Sequence, residues 1–308
     1  MNIELLDPFR QTIPDHIEAT ILHPALTLPC NVLSHNRRGF YLAAGYSCGS
    51  VVVWCALSRV LLRFFEGLHE PSPLGPVALA WGKDSRALVT GGDDGKIAVL
   101  RLDERPVQAV VVDAMGELEG ARGGAKLGTI KYVRLHPNNA DVALVVTTCG
   151  YAFELALGGG EKRKGKEGSD AKAAAGSPLR VLCGPGGRAT GVKAADAAFD
   201  KKGGAVFVAV AKAEVNVYDS VTHKKLRTIK VEGKPIINAI LFSPRGDRFL
   251  LRCQDNKLRI FSSDCKDGRL VTVFQEAVNG TSFDDCVWTN DGEHIIGEVV
   301  RRHVYVLT

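Results

Sequence analysis

The chain has no apolar run long enough to cross a bilayer: stretches such as Val107 to Val112 and Ala205 to Ala211 fall far short of the roughly 18 residues that a membrane-spanning helix needs. It also lacks a secretory leader, since Met1-Asn2-Ile3-Glu4-Leu5-Leu6-Asp7 puts acids where a leader carries basic residues, and no apolar segment follows. An intracellular protein that engages no membrane is expected. No Cys-x-x-Cys pair occurs among the eight cysteines, and no paired histidine spacing accompanies them. Cys30, Cys48, Cys55, Cys149, Cys183, Cys253, Cys265 and Cys286 therefore read as reduced thiols, with no metal or disulfide role. Missing too are His-Glu-x-x-His, Gly-x-Ser-x-Gly and any carboxylate pair at a recognisable spacing. These gaps point away from an enzyme: no catalytic residue, metal, cofactor or small-molecule substrate is expected.

What is present is a chain with 45% hydrophobic and 24% charged residues, enough apolar surface for a real core. Its formal net charge of +5 permits contact with a polyanion without demanding it. The informative signal is a repeat. A short apolar run, a polar turn containing Gly, a second apolar run, a tight turn and a third run ending near an aromatic recur along the chain. The fifth unit displays it best: Ile236 to Phe242 as a strand, Ser243-Pro244-Arg245-Gly246-Asp247 as a turn, Arg248 to Cys253, Gln254-Asp255-Asn256 as a turn, then Lys257 to Phe261. Asp, Asn, Pro and Gly end one strand and begin the next, while β-branched residues fill the runs between them.

With the end of each first strand as anchor, His35, Trp81, Leu135, Phe199, Phe242 and Trp288 are separated by 46, 54, 64, 43 and 46 residues. Three of these spacings fall in the WD-repeat period of roughly 40 to 50. A large apolar residue should follow in each third strand, and Trp54, Leu100, Phe153, Tyr218, Phe261 and Tyr305 meet that expectation. Two Gly-rich inserts, near 114–126 and 157–178, account for the long spacings and read as flexible loops. The fold class expected is all-β: a WD-repeat β-propeller of about six repeats, over 29–308, after an N-terminal arm over 1–28. The last repeat stops after its third strand, which reads as truncation from a seven-bladed propeller.

Several residues invite a functional reading. His69, Thr90 and Asp94 resemble a catalytic triad, but they stand roughly where WD repeats carry a hydrogen-bonded network between turns, with Leu100 in place of its Trp. Gly91-Gly92-Asp93-Asp94-Gly95 is Gly-rich yet lies between two strands, so it reads as a β-turn and not as a phosphate-binding loop. Lys162, Arg163, Lys164 and Lys166 are diluted by Glu161, Glu167 and Asp170 and read as a solvated linker. Lys257, Arg259, Arg301 and Arg302 place basic residues at blade turns or edges in two consecutive repeats. Lys257 and Arg301 would occupy equivalent turns on one rim, where they would hold phosphates.

The opening Met1 to Phe9 resembles the N-terminal signature of the retinoblastoma-binding protein 5 or Swd-one family, the propeller subunits of COMPASS and MLL-type complexes. Similar too are Asn36-Arg37-Arg38-Gly39 leading to Leu42-Ala43-Ala44-Gly45, Ala198 to Gly204, Leu258-Arg259-Ile260, Val278-Asn279 and Asp291 to Ile296. The resemblance implies a non-catalytic scaffold in the nucleus, in a complex that methylates lysine 4 of histone H3 and regulates transcription. Implied partners are a SET-domain methyltransferase subunit, WD-repeat protein 5 and Ash-two types, and the nucleosome through its DNA and histones. In that family basic rim residues rest on nucleosomal DNA; the matching positions are Lys257 and Arg301, while a third falls on Gly280. The long insert implies a loosened third blade, and the family's acidic and hydrophobic C-terminal motifs are absent. The alternative is a generic WD-repeat adaptor in RNA processing or trafficking.

Overall fold

The computed structural model describes residues 28–73, 75–103, 108–116, 128–157, 179–184, 193–263, 268–275, 283–289, 291–299 and 303–307. All but the last residue of the N-terminal arm, most of both inserts, Gly280, Arg301 and Arg302 lie outside them. The described residues form six antiparallel sheets, each a meander in chain order. Blade one comprises β1 (Cys30–His35), β2 (Tyr41–Tyr46), β3 (Val51–Cys55) and β4 (Leu61–Phe65). Blade two comprises β5 (Pro76–Trp81), β6 (Ala87–Gly92), β7 (Lys96–Arg101) and β8 (Gln108–Asp113). Blade three comprises β9 (Ile130–His136), β10 (Asn139–Thr147), β11 (Ala152–Ala156) and β12 (Leu179–Cys183). Blade four comprises β13 (Ala194–Phe199), β14 (Ala205–Val210), β15 (Glu214–Asp219) and β16 (Lys225–Lys230). Blade five comprises β17 (Ile237–Phe242), β18 (Arg248–Cys253), β19 (Lys257–Ser262) and β20 (Leu270–Gln275). Blade six has three described strands, β21 (Phe283–Trp288), β22 (Ile295–Val299) and β23 (His303–Leu307). This is the architecture of a WD-repeat β-propeller. No helix among the described residues is long and apolar enough to cross a membrane.

Consecutive blades meet chiefly through their first strands, which therefore stand innermost around a channel. A strand sends alternate side chains to opposite faces, and in blades two to five each face meets a neighbouring blade. On β10, Ala143 and Val145 pack with blade two, whereas Leu144 and Val146 pack with blade four. On β18, Phe249 and Leu251 face blade four and Leu250 faces blade six. The middle strands are consequently apolar without alternation, and all six residues of β6 are buried. The core is a set of seams, one between each pair of successive blades. Phe249 shows what holds a seam: it is fully buried, stacks on Phe261 at 5.3 Å and meets Phe207 at 5.4 Å. Burying a side chain of this size stabilises by about 1.5–3 kcal/mol.

Five of the six anchors end a first strand as expected, and Leu135 stands one residue before the end of β9. All six third-strand markers stand in third strands, and the register sets two of them off the row of their anchor. The row through Phe242 runs Phe249 to Phe261, and the row through Trp81 runs Leu88 to Leu100. In blade three the row through Leu135 runs through Ala143 to Leu155, not Phe153. In blade six the row through Trp288 runs through Ile295 to Leu307, not Tyr305. A shift of two residues keeps the same face, so the spacing rule still finds a buried position in blade three. That blade is not loosened by its insert either: Phe153 and Leu155 are fully buried, and β9 to β12 pack on both neighbours. The described ends of the two inserts, Ala114 and Leu157, also belong to the core.

Candidate interaction surfaces of the ring

Three polar constructions stand out, and the first is a tie between turns. His69 Nδ1 lies 3.2 Å from Asp94 Oδ1, and His69 Nε2 lies 2.7 Å from Thr90 Oγ1. Burial lowers the His69 pKa against the opposing pull of Asp94, so the ring is neutral at pH 7. The consistent tautomer donates from Nδ1–H to Asp94 and accepts the Thr90 hydroxyl proton at Nε2. Asp94 also accepts the amides of Glu70 and Lys96. The loop to blade two is thereby fastened to the β6–β7 turn; Ala98 stands opposite Thr90 on β7, and Leu100 is buried two residues further along. Gly49 presses on the same loop: at φ +80°, a Cβ there would sit 1.9 Å from the His69 carbonyl oxygen.

The second construction is the channel wall. Arg134 on β9 forms a two-pronged ion pair with the fully buried Asp196 on β13, with Nη2 at 3.0 Å from Oδ2 and Nη1 closer still to Oδ1. Asp196 Oδ2 accepts the Ile240 amide of β17 at 2.9 Å, and Arg134 also donates to the Ala197 carbonyl. Burial alone would lower the Arg134 pKa, but the Asp196 charge and hydrogen bond raise it. Innermost strands have one unpaired edge, and this pair satisfies edge groups of two of them. Lys131 adds another stitch, donating to the Ala195 carbonyl.

Around the channel mouth the turns between first and second strands are stapled blade to blade. Asn36 donates to Ser85, Lys83 to Asn138, Asn138 to the Lys202 carbonyl and Lys201 to the Pro244 carbonyl, while Arg245 pairs with Glu293. Two anchors repeat one device: Trp81 Nε1 donates to the Ser34 carbonyl at 3.0 Å, and Trp288 Nε1 to the Leu241 carbonyl at 3.3 Å. These turns surround a cavity of about 630 Å³ at the mouth.

The third construction is the rim proposed from sequence, at the turn between β18 and β19. Arg259 is 7% exposed, and its two terminal nitrogens bond Asp255 at 2.9 and 2.6 Å. The hydrogen bond to Asp255 raises the Arg259 pKa and correspondingly lowers that of Asp255. Arg259 is therefore engaged within its own turn and does not present a free cation. Lys257 opens β19 half-buried, next to Asn256 at φ +59°. Arg301 and Arg302 follow β22 in the chain and lie outside the described residues. Sequence reasoning missed Arg37, Lys83 and Lys201 at the mouth. Each lies two residues beyond an anchor, a coincidence visible once the anchors are aligned. Among the described residues, no group of three or more His, Cys, Asp or Glu could hold a metal ion.

No family model matches the chain. It is 24% identical over 314 residues to the retinoblastoma-binding protein 5 homolog of Drosophila melanogaster, across 98% of this chain and 56% of that protein. Against the Set1 complex component swd1 of Schizosaccharomyces pombe it is 34% identical over 122 residues, 37% of this chain and 27% of that one. The chain spans about half the length of the curated relatives it matches over its whole extent. The crystal structure of the Myceliophteria thermophila Cps50 (Swd1) β-propeller domain superposes with a TM-score of 0.68 at 19% identity, covering 90% of this chain and 82% of that one. That likeness establishes the propeller fold.

Proposed function

We propose that this chain, similar along nearly its whole length to the retinoblastoma-binding protein 5 proteins and in part to Swd1, is a non-catalytic scaffold subunit of a nuclear histone H3 lysine-4 methyltransferase complex. The observation that carries the reading is the collinear match to a retinoblastoma-binding protein 5 homolog over 98% of the chain, joined by the match to a named Set1 complex component. The polar groups support a scaffold: His69, Thr90 and Asp94 tie turns together, and Arg134 with Asp196 fastens inner strands. Partners under this reading are the SET-domain subunit and the WD-repeat protein 5 and Ash-two types.

The finer part of the proposal is that the propeller helps seat the complex on nucleosomes, with Lys257 and Arg301 on DNA phosphates and Arg302 beside them. Arg259 then steadies the turn that carries Lys257. The test titrates nucleosome binding against salt with the methyltransferase core present, comparing wild type with Lys257→Glu plus Arg301→Glu. Weaker binding and a salt slope smaller by about one per lost phosphate contact are expected. Unchanged affinity and slope in a folded variant would remove the rim from the mechanism. Failure of the wild-type chain to co-assemble with the core subunits would remove the scaffold reading itself.

A further inference from the structure

We infer that the mouth of the central channel, on the face where first strands turn into second strands, is a binding site for an acidic peptide segment that inserts an apolar side chain. The mouth is a bowl of about 630 Å³, within the range of about 300–1,000 Å³ typical of ligand sites. Its floor is built from the ends of the first strands, with Trp81, Phe199 and Phe242 supplying apolar surface. Its edge carries Arg37, Lys83 and Lys201, all exposed, each placed two residues after an anchor on a different blade.

Charge at the mouth is lopsided. Four basic side chains line the cavity, Arg37, Lys83, Arg134 and Lys201, against one acid, Asp200. Arg134 is neutralised by Asp196, so three cations and one carboxylate remain at the edge. Lys83 and Lys201 each donate to the turn of the next blade, which holds the two side chains along the edge and leaves further ammonium hydrogens for a ligand.

The shape favours a peptide over duplex nucleic acid. A duplex presents a convex ladder of phosphates that is read by a track of cations, whereas these residues border a concavity. Its floor also gives a phosphate nothing to bond. An extended peptide uses both features: carboxylates at the edge make charge-assisted contacts, and one aliphatic or aromatic side chain buries on the floor. Asp84 and Asp200 flank Lys83 and Lys201 in sequence and would repel a continuous polyanion.

The test uses the full 308-residue chain and a fluorescein-labelled decapeptide of alternating aspartate and leucine with one central phenylalanine. The same peptide with asparagine for aspartate and a labelled 15-base-pair duplex are run beside it. Saturable binding of the acidic peptide is expected, weakened roughly tenfold by Arg37→Glu and unchanged by Lys225→Glu, an equal charge reversal on the outer strand of blade four. Lys83→Met is the second variant, expected to weaken binding less. The proposal is overturned by absence of acidic-peptide binding, by equal binding of the asparagine peptide, or by equal losses in Arg37→Glu and Lys225→Glu. A duplex that responds to Arg37→Glu while the peptide does not would also overturn it, assigning the mouth to nucleic acid. None of these readouts involves Lys257 or Arg301, so this proposal and nucleosome seating fail separately.

Discussion

On the face where second strands turn into third strands, charge is consumed close to home. Asp94 is taken up by His69 and two backbone amides, and Asp255 by Arg259 four residues further on. On the opposite face the lysines reach across a seam to the next blade's turn, and Arg37 stands exposed. The first face uses its charges to hold turns in shape. The second uses them to join blades and leaves positive groups pointing at solvent, so the two faces should respond differently when a charge is removed.

The largest effect is expected at Asp196. Asp196→Ala leaves the Arg134 guanidinium half-buried without its counter-charge and strips the Ile240 amide of its acceptor. Breaking such a pair costs about 3–5 kcal/mol, although replacing both members by apolar residues can be nearly neutral. Urea denaturation of Asp196→Ala should show that loss, and Arg134→Leu plus Asp196→Leu should recover part of it. A loss below about 1 kcal/mol in the single variant would mean that the channel wall does not depend on the pair. The corresponding change at the turn between β18 and β19 is smaller. Arg259→Ala removes two charge-assisted bonds to a carboxylate that remains partly in water, so about 1–2 kcal/mol is expected. Equal losses at the two sites would erase the contrast between the channel wall and the turns between second and third strands.

How much of this was legible in the sequence depends on the range over which each feature is specified. Blade boundaries rest on local signals, turn residues between apolar runs, and the anchors fall at or next to the ends of first strands. The His69 network was legible because its members sit at fixed offsets within one repeat. Register was less so: Leu155 and Phe153 share a face, and only pairing through Ala143 decides between them. The fate of Arg259 was hidden because Asp255 looks like an ordinary turn residue until both are placed on one side of the turn. The pair of Arg134 and Asp196 spans 62 residues and two blades, and nothing local marks it. The mouth lay between these cases, since its basic residues have a fixed offset but its cavity exists only when the blades close together.

A pH-dependent effect separates the seams from both faces. Glu154 on β11 is buried between blades three and four, its Oε1 without a hydrogen-bond partner among the described residues and its Oε2 3.6 Å from His223 Nδ1. Burial pushes its carboxyl up to about 7, against the pull of Arg180. Between the ordinary value of 4.5 and about 7 the folded chain therefore holds a proton that the unfolded chain has released. Stability must fall as pH rises through that window, because the folded state binds more protons there. His69 and His223, both lowered chiefly by burial, act in the opposite direction below pH 6.5. The difference between Glu154→Gln and wild type cancels the His69 contribution and isolates the carboxyl together with its coupling to His223. The variant's melting temperature should gain on wild type from pH 5 to pH 7 and hold a constant advantage above that. A difference that stays flat from pH 5 to pH 8 would mean that Glu154 reaches water when it ionises, and that this seam opens more readily than the stapled faces on either side.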